Sequence, residues 1–393
     1  MAPNDSDDIL DDIYGPAPTF TDIEPREFKP WHKPRKHFIR IKQWCSLVQK
    51  LIKKSGLREG DLLKYFGMPG EDFLDIRTLD GVCKRSNIKM RYLGFDSTAD
   101  LGGEYEFNLS KHEVYNLKSI DPMSVVVKDR IERIALEESS ARMLLRKHGP
   151  FDVVNFDLCD SIAAPSYENS GSYFDALVEV CNRQVQGRTT PWLLFITTRA
   201  SRDQIDSLTK TQLFQCIIEN IQQHKSFSDQ LQKLLELDEQ QIQAEISNSG
   251  HLAHSALVKA FGLGIGKWLL SLMMSASPKL IVEMHNSYSY RVDGDEPDML
   301  SLAFMFDPVI ETRIDRTGIT KTKPSNASAT LKEVDLALKL IDGMLQIEDV
   351  DHKLANDSKL NESMIVKSEN LLRDARYNVE GYRRWVLEHS PLP

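Results

Sequence analysis

Two apolar stretches constrain the fold of this chain more than any other feature. Phe151 to Leu158 (FDVVNFDL) and Trp192 to Thr197 (WLLFIT) are hydrophobic at most positions. A strand built from either stretch therefore buries both of its faces. A helix is expected from about Ser172 to Gln186 between them, and another from Ala141 to His148 ahead of them. Strands of this kind alternating with helices imply a parallel sheet covered on both sides.

An earlier stretch reads as the opening β-turn-α-β unit. The apolar run Phe73, Leu74, Ile76 leads into a polar turn ending at Gly81, and a second run, Met90, Tyr92, Leu93 and Phe95, ends in Asp96. Asp75 and Asp96 stand at the spacing of roughly 20 residues that a nucleotide-binding unit uses to present an acid to a ribose. Further on, a short helix is expected from Asp121 to Lys128 and a strand from Ile131 to Leu136, closed by Glu137 and Glu138.

This outline resembles the class I S-adenosylmethionine-dependent methyltransferases, whose first turn usually reads acid-x-Gly-x-Gly. On that pattern Asp75 is the strand-end acid, Gly81 the last glycine, and Leu79 stands where a glycine is usual. The run PFDVVNFDLCDSIAAPSYENSGSYFDALVEV followed by PWLLFITTRA is similar to the fourth and fifth strands of the tRNA guanine dimethyltransferases, where strand four ends Asp-Pro-aromatic-Gly-Ser-Pro. Asp157 and Ser161 match, while Leu158, Cys159, Asp160 and Ile162 depart from it. The resemblance implies S-adenosyl-L-methionine as cofactor, held by Asp75, Gly81, Asp96 and Glu137, with Asp157 and Ser161 placing the methyl acceptor. Two last strands, Lys279 to Met284 extending toward Val292 and Leu300 to Phe306, flank a turn over Asp293 to Pro297 and form an antiparallel hairpin. The fold class expected is therefore α/β: a Rossmann-like methyltransferase sheet, mostly parallel with its last strand antiparallel. Helical additions are expected at the N-terminus, in an insertion at about 203–276, and at the C-terminus.

Charge is segregated along the chain, although the net value of −9 excludes a uniformly basic nucleic-acid binder. Residues 1 to 24 carry seven acids and no base, a composition that does not bury itself. From Phe28 to Arg58 there are ten lysines and arginines and no acid. Phe38, Ile41, Trp44, Cys45, Val48, Leu51 and Ile52 recur there at helical spacing and mark a buried face. Lys33, Arg35, Lys36, Arg40 and Lys42, near His32 and His37, are expected on the other face as a positive strip that contacts a nucleic-acid backbone. The segments expected are an acidic tail over 1–27, a basic helical region over 28–69, the α/β domain over 70–312, a polar linker over 313–330 and a helical region over 331–393.

Other features are assigned to structure. His251 and His254 in HLAH lack a third ligand at metal spacing, and FGLGIGK (Phe261 to Lys267) lacks the GKS or GKT of a phosphate loop and reads as close helix packing. Arg373, Arg376, Arg383 and Arg384, with Tyr377, Tyr382 and Trp385, read as a helix clamped against the core. Five cysteines without a CxxC suit free thiols in a reducing cytoplasm, with no metal site and no membrane span expected. Two functional readings follow. One is a methyltransferase-like protein acting on or binding RNA or DNA. The other is a catalytically inactive methyltransferase-fold scaffold that binds a protein partner. The basic arm ahead of such a domain also resembles proteins of bacterial multi-gene antiphage defence clusters. An oxidoreductase is disfavoured because GxGxxG is missing.

Overall fold

The computed structural model describes residues 26–97, 104–166, 171–247, 252–309 and 332–389. The readings of residues 1 to 24 as an acidic tail, of His251, and of 313–330 as a linker fall outside them. The N-terminal region is one long helix in three registers: α1 (Pro34–Phe38), a π-helical segment (Ile39–Cys45) and α2 (Ser46–Ser55). Gly56, with φ of 69°, ends it. There follow β1 (Leu62–Gly67), α3 (Leu74–Ser86), β2 (Lys89–Phe95), α4 (Glu104–Tyr115), β3 (Val125–Val127), a 3-10 turn (Ile131–Ala135), α5 (Ser140–His148) and β4 (Val153–Asp157). The second half comprises α6 (Tyr173–Gly187), β5 (Trp192–Arg199), α7 (Ser207–Gln223), α8 (Lys225–Leu235), α9 (Glu239–Ser247), α10 (His254–Met274), β6 (Leu280–Met284), β7 (Tyr288–Tyr290) and β8 (Met299–Pro308). It closes with α11 (Glu333–Leu345), β9 (Glu348–Asp349), α12 (Val350–Asn356), α13 (Ser358–Asp374) and α14 (Tyr382–His389).

The strands form one sheet in the order β3-β2-β1-β4-β5-β8-β7-β9, with β6 also on β8. β1 to β5 are parallel neighbours, β8 runs antiparallel to β5, and β6 and β7 run antiparallel to β8. This is the expected Rossmann-like arrangement, mostly parallel with one reversed strand. Alternate residues of each strand enter different cores: Tyr65, Tyr92, Val153 and Phe195 pack on one face, Phe66, Phe95, Phe156 and Ile196 on the other. The N-terminal helix and α3 cover the first face, and α5, α6, α7 and α10 cover the second.

The opening unit lies earlier than the sequence reading put it. The first strand is Leu62–Gly67, inside the region read as basic and helical, so the sheet begins before residue 70. Leu74 and Ile76 instead lie on α3; Ile76 packs on the sheet with Leu79, Val82 and Cys83, and Leu74 on the C-terminal helices with Leu371, Leu372 and Tyr382. The stretch Ile131 to Leu136 is a 3-10 turn and not a strand, and the third strand is Val125–Val127 inside the segment read as a short helix. The FGLGIGK reading holds. A Cβ at Gly262 would come within 2.8 Å of Met344, and one at Gly264 within 3.0 Å of Leu213, so these glycines let α10 approach its neighbours. By length and composition α10 is apolar enough to cross a bilayer, but most of its residues are buried inside the protein, where Lys267 pairs with Glu333 and donates to Asn220.

The π-helical register has a visible tie. Gln43, fully buried, donates at 2.8 Å to the carbonyls of Asn286 and Ser301 and accepts the Ser301 hydroxyl at 2.7 Å. It satisfies the backbone where β6 breaks into β7. Replacing Gln43 with Leu strands these groups in the interior, and a loss of about 2–3 kcal/mol is expected in urea unfolding. An unchanged denaturation midpoint would remove this tie from the account.

Candidate functional site

In a sheet ordered 3-2-1-4-5, the crevice at the carboxyl ends of β1 and β4 is the topological switch point, where open α/β sheets take their ligands. β1 ends in the loop Gly67-Met68-Pro69-Gly70-Glu71-Asp72, β2 ends in Asp96, and β4 ends in Asp157. The loop lies close on the sheet. A Cβ at Gly94 would meet the Pro69 ring at 3.0 Å, and one at Gly67 would come within 2.7 Å of the Tyr65 hydroxyl.

Side chains of the N-terminal arm fill the space above this edge. Asp72 is the first anchor. It accepts from Arg26 at 2.6 Å and from Tyr377 at 2.9 Å, and lies 3.2 Å from His32 Nε2. Burial alone would raise the Asp72 carboxyl, yet the His32 hydrogen bond and the Arg26 charge hold it below its usual range. The arm is also clamped to the C-terminal helices. Tyr382 donates to the His32 carbonyl at 2.6 Å, Phe28 stacks on Tyr377, and Arg26 lies 4.2 Å over the Tyr377 ring.

The second anchor is Asp157, which is ion-paired with Lys36. The Lys36 ammonium also lies 3.4 Å from Thr197 Oγ1 and 5.0 Å from the centroid of the Trp44 ring. Burial pushes the Lys36 amine below its usual range, against the pull of Asp157. Beside this pair, the Tyr65 hydroxyl bonds Asp75 and takes a 3.0 Å hydrogen bond from Asn155. Burial raises Asp75 above the ordinary carboxylate range, opposed by hydrogen bonds from Tyr65 and the Ile76 amide. Arg40 faces both Asp157 and Asp75 through space, and burial lowers it. Its Nη1 donates to the Trp31 carbonyl at 3.2 Å, and its Nε and the Asn155 Oδ1 are buried without a hydrogen-bond partner.

The expected site residues are therefore dispersed. Asp96 follows β2 and is buried, and it acts electrostatically on Glu71. Asp157 closes β4, and Ser161 follows it, fully buried and accepting the Ala163 amide at 3.2 Å. Asp75 is not a strand-end acid but sits in the first turn of α3, bonded to Tyr65. Gly81 lies within α3, away from any turn, and Glu137 is exposed beyond the 3-10 turn. The exposed positive strip is corrected as well. Arg35, Lys36 and Arg40 are buried, with Arg35 paired to Asp351 at 3.0 Å. Lys33, partly exposed, donates to the His389 carbonyl at 2.6 Å. The residues that sequence reasoning missed are Arg26, Tyr65, Asp72 and Asn155. The glycine pair Gly67 and Gly70 after the apolar run LLKYF was the signal for the true turn.

The sequence profile of the PP_RS20740-like family matches residues 25–387, which is most of the chain. The chain belongs to the PP_RS20740-like family. This PP_RS20740-like chain matches no curated protein. Among solved structures it is similar to PKMT2 from Rickettsia typhi, at 11% identity and a TM-score of 0.28. That match covers 72% of this chain and 54% of that one, so the chain spans about half the length of PKMT2; the similarity is too low to bear on function.

A pH dependence follows from the buried histidines of this PP_RS20740-like arm. Burial, then the Arg40 and Lys367 charges, push His37 from 6.5 down to about 3. The unfolded chain therefore takes up a proton near pH 6.5 that the folded chain refuses until about pH 3. Stability is full above pH 6.5 and falls as the pH drops through that window. Between pH 7 and pH 5 the His37 share is about 2 kcal/mol. Denaturation midpoints of a His37→Phe variant should lose that much of the wild-type pH slope. An identical slope in the two proteins would contradict the assignment.

Proposed function

We propose that this chain is an S-adenosylmethionine-dependent methyltransferase-like protein. The observation that carries the reading is the reversed β8, inserted between β5 and the β6 and β7 strands of a sheet whose second strand closes on a buried acid, Asp96. The donor chemistry fits such a cofactor. Asp96 is a carboxylate suited to a ribose diol, and Glu71, raised by burial and then by Asp72, is a second carboxylate beside it, suited to the ammonium of the amino-acid end. When bound, the cofactor supplies an activated methyl group. The protein's part is to align and desolvate the reacting centre, which needs few catalytic side chains. The burial of Arg35, Lys36 and Arg40 takes the residue basis from the expected nucleic-acid strip, so the acceptor class is not set by that strip.

A second reading, a binding subunit that holds the fold without the transfer, is favoured by one observation: Arg26, His32 and Lys36 occupy the carboxylates at the ends of β1 and β4. Isothermal titration separates the two. S-adenosylmethionine and its demethylated product should bind in the micromolar range. Asp96→Asn should weaken binding about tenfold or more, the effect of losing hydrogen bonds to a charged group. No heat at millimolar cofactor supports the binding subunit instead.

A further inference from the structure

Lys36 reaches Asp157 from a helix already fixed elsewhere. Arg35 holds Asp351 at 3.0 Å, His32 holds Asp72 at 3.2 Å, and Gln43 makes three bonds to the β7 and β8 region. The Lys36 amine is thus a further contact, and its surroundings match those of a bound ligand's ammonium. A carboxylate, a hydroxyl and an aromatic face converge on one nitrogen, the three kinds of group that recognise a primary ammonium. The cage lies at the switch point, where α/β sheets bind ligands; Lys36, Trp44 and Thr197 are buried, and its open side is Asp157. The Asp157 side chain keeps 19% of its exposure, and the adjacent Cys159 is exposed.

We propose that Asp157, Trp44 and Thr197 form a binding site for a primary alkylammonium group, and that Lys36 fills this site from within until a ligand bearing such a group displaces it. The inference rests on the methyl-transfer reading only for the fate of the amine. There Asp157 would hold the substrate ammonium and take its proton, and the cofactor, when bound, would supply the methyl group that the freed amine accepts as its sulfonium becomes a thioether. Binding itself needs no cofactor, so it is tested without one. A failed cofactor titration leaves the site standing, and a failed amine test leaves the cofactor reading standing.

Truncating Lys36 to Ala removes three carbons and the nitrogen, which together are n-propylammonium. Thermal unfolding of the full-chain K36A protein should show a saturable rise in Tm of a few degrees with n-propylammonium, larger than in wild type, where Lys36 must first be displaced, and absent with 1-propanol and in a K36A/D157N double variant. K36M, which refills the stem without the charge, should not respond. If K36A does not fold alone, its refolded fraction by circular dichroism should depend on n-propylammonium and not on 1-propanol. Equal effects of amine and alcohol, or none, overturn the proposal. With wild type, 1,5-diaminopentane and Nα-acetyl-lysine methylamide are compared: stabilisation by one identifies a free diamine or a lysine side chain as the source. Stabilisation by neither shows Lys36 to be a structural cation only.

Discussion

The ion pair between Lys36 and Asp157 joins the N-terminal arm to the carboxyl end of β4. A lysine that buries its ammonium forfeits hydration, and only a close carboxylate with further polar contacts offsets that cost. Here the carboxylate ends β4, the hydroxyl comes from β5, and the lysine comes from α1. The contact brings the arm against two central strands, beside the Arg35, His32 and Gln43 ties that hold it elsewhere. Arg40 and Gln43 follow within the π-helical segment, and their inward placement depends on the same register.

The arm makes the carboxyl edge of this sheet unlike an open crevice. Asp75 and Asp157 repel each other, and the arm supplies Lys36 and Arg40 to face them and Arg26 and His32 to hold Asp72. Tyr65 and Asn155 extend this network between β1 and β4. Asp96 lies at the end of β2, and Glu71, 3.8 Å from the Arg26 that holds Asp72, acts on it through space. The proposed chemistry would use two parts of this edge, Asp96 and Glu71 for the cofactor and Asp157 for the amine.

Much of the fold was legible in the sequence because β4, β5 and β8 are short, strongly apolar and followed by clear breaks. The reversed last strand was likewise visible in the turn residues Asp293 to Pro297. The first strand was missed because LLKYFG carries a lysine and follows a basic helix, while FLDI is too short to separate a strand from the start of a helix. That error displaced the glycine turn onto α3, away from Gly67 and Gly70. Lys33, Arg35, Lys36, Arg40 and Lys42 were read as a solvent-facing strip because the partners of the buried ones are remote in sequence. Asp157 lies 121 positions from Lys36, and Tyr377 lies 305 from Asp72. Nearby sequence carries no trace of such pairing, so burial of the arm was accessible only in three dimensions.

The central claim is that the arm is part of the sheet's own core and not an appendage. Native-state hydrogen exchange tests it most directly, by comparing the amides of Ile39 to Cys45 with those of Val153 to Asp157. If the buried cations lock the arm, both sets exchange through the same global opening, at protection factors within about tenfold of each other. Arm amides that exchange a hundredfold or more faster, by local opening under native conditions, would contradict the account.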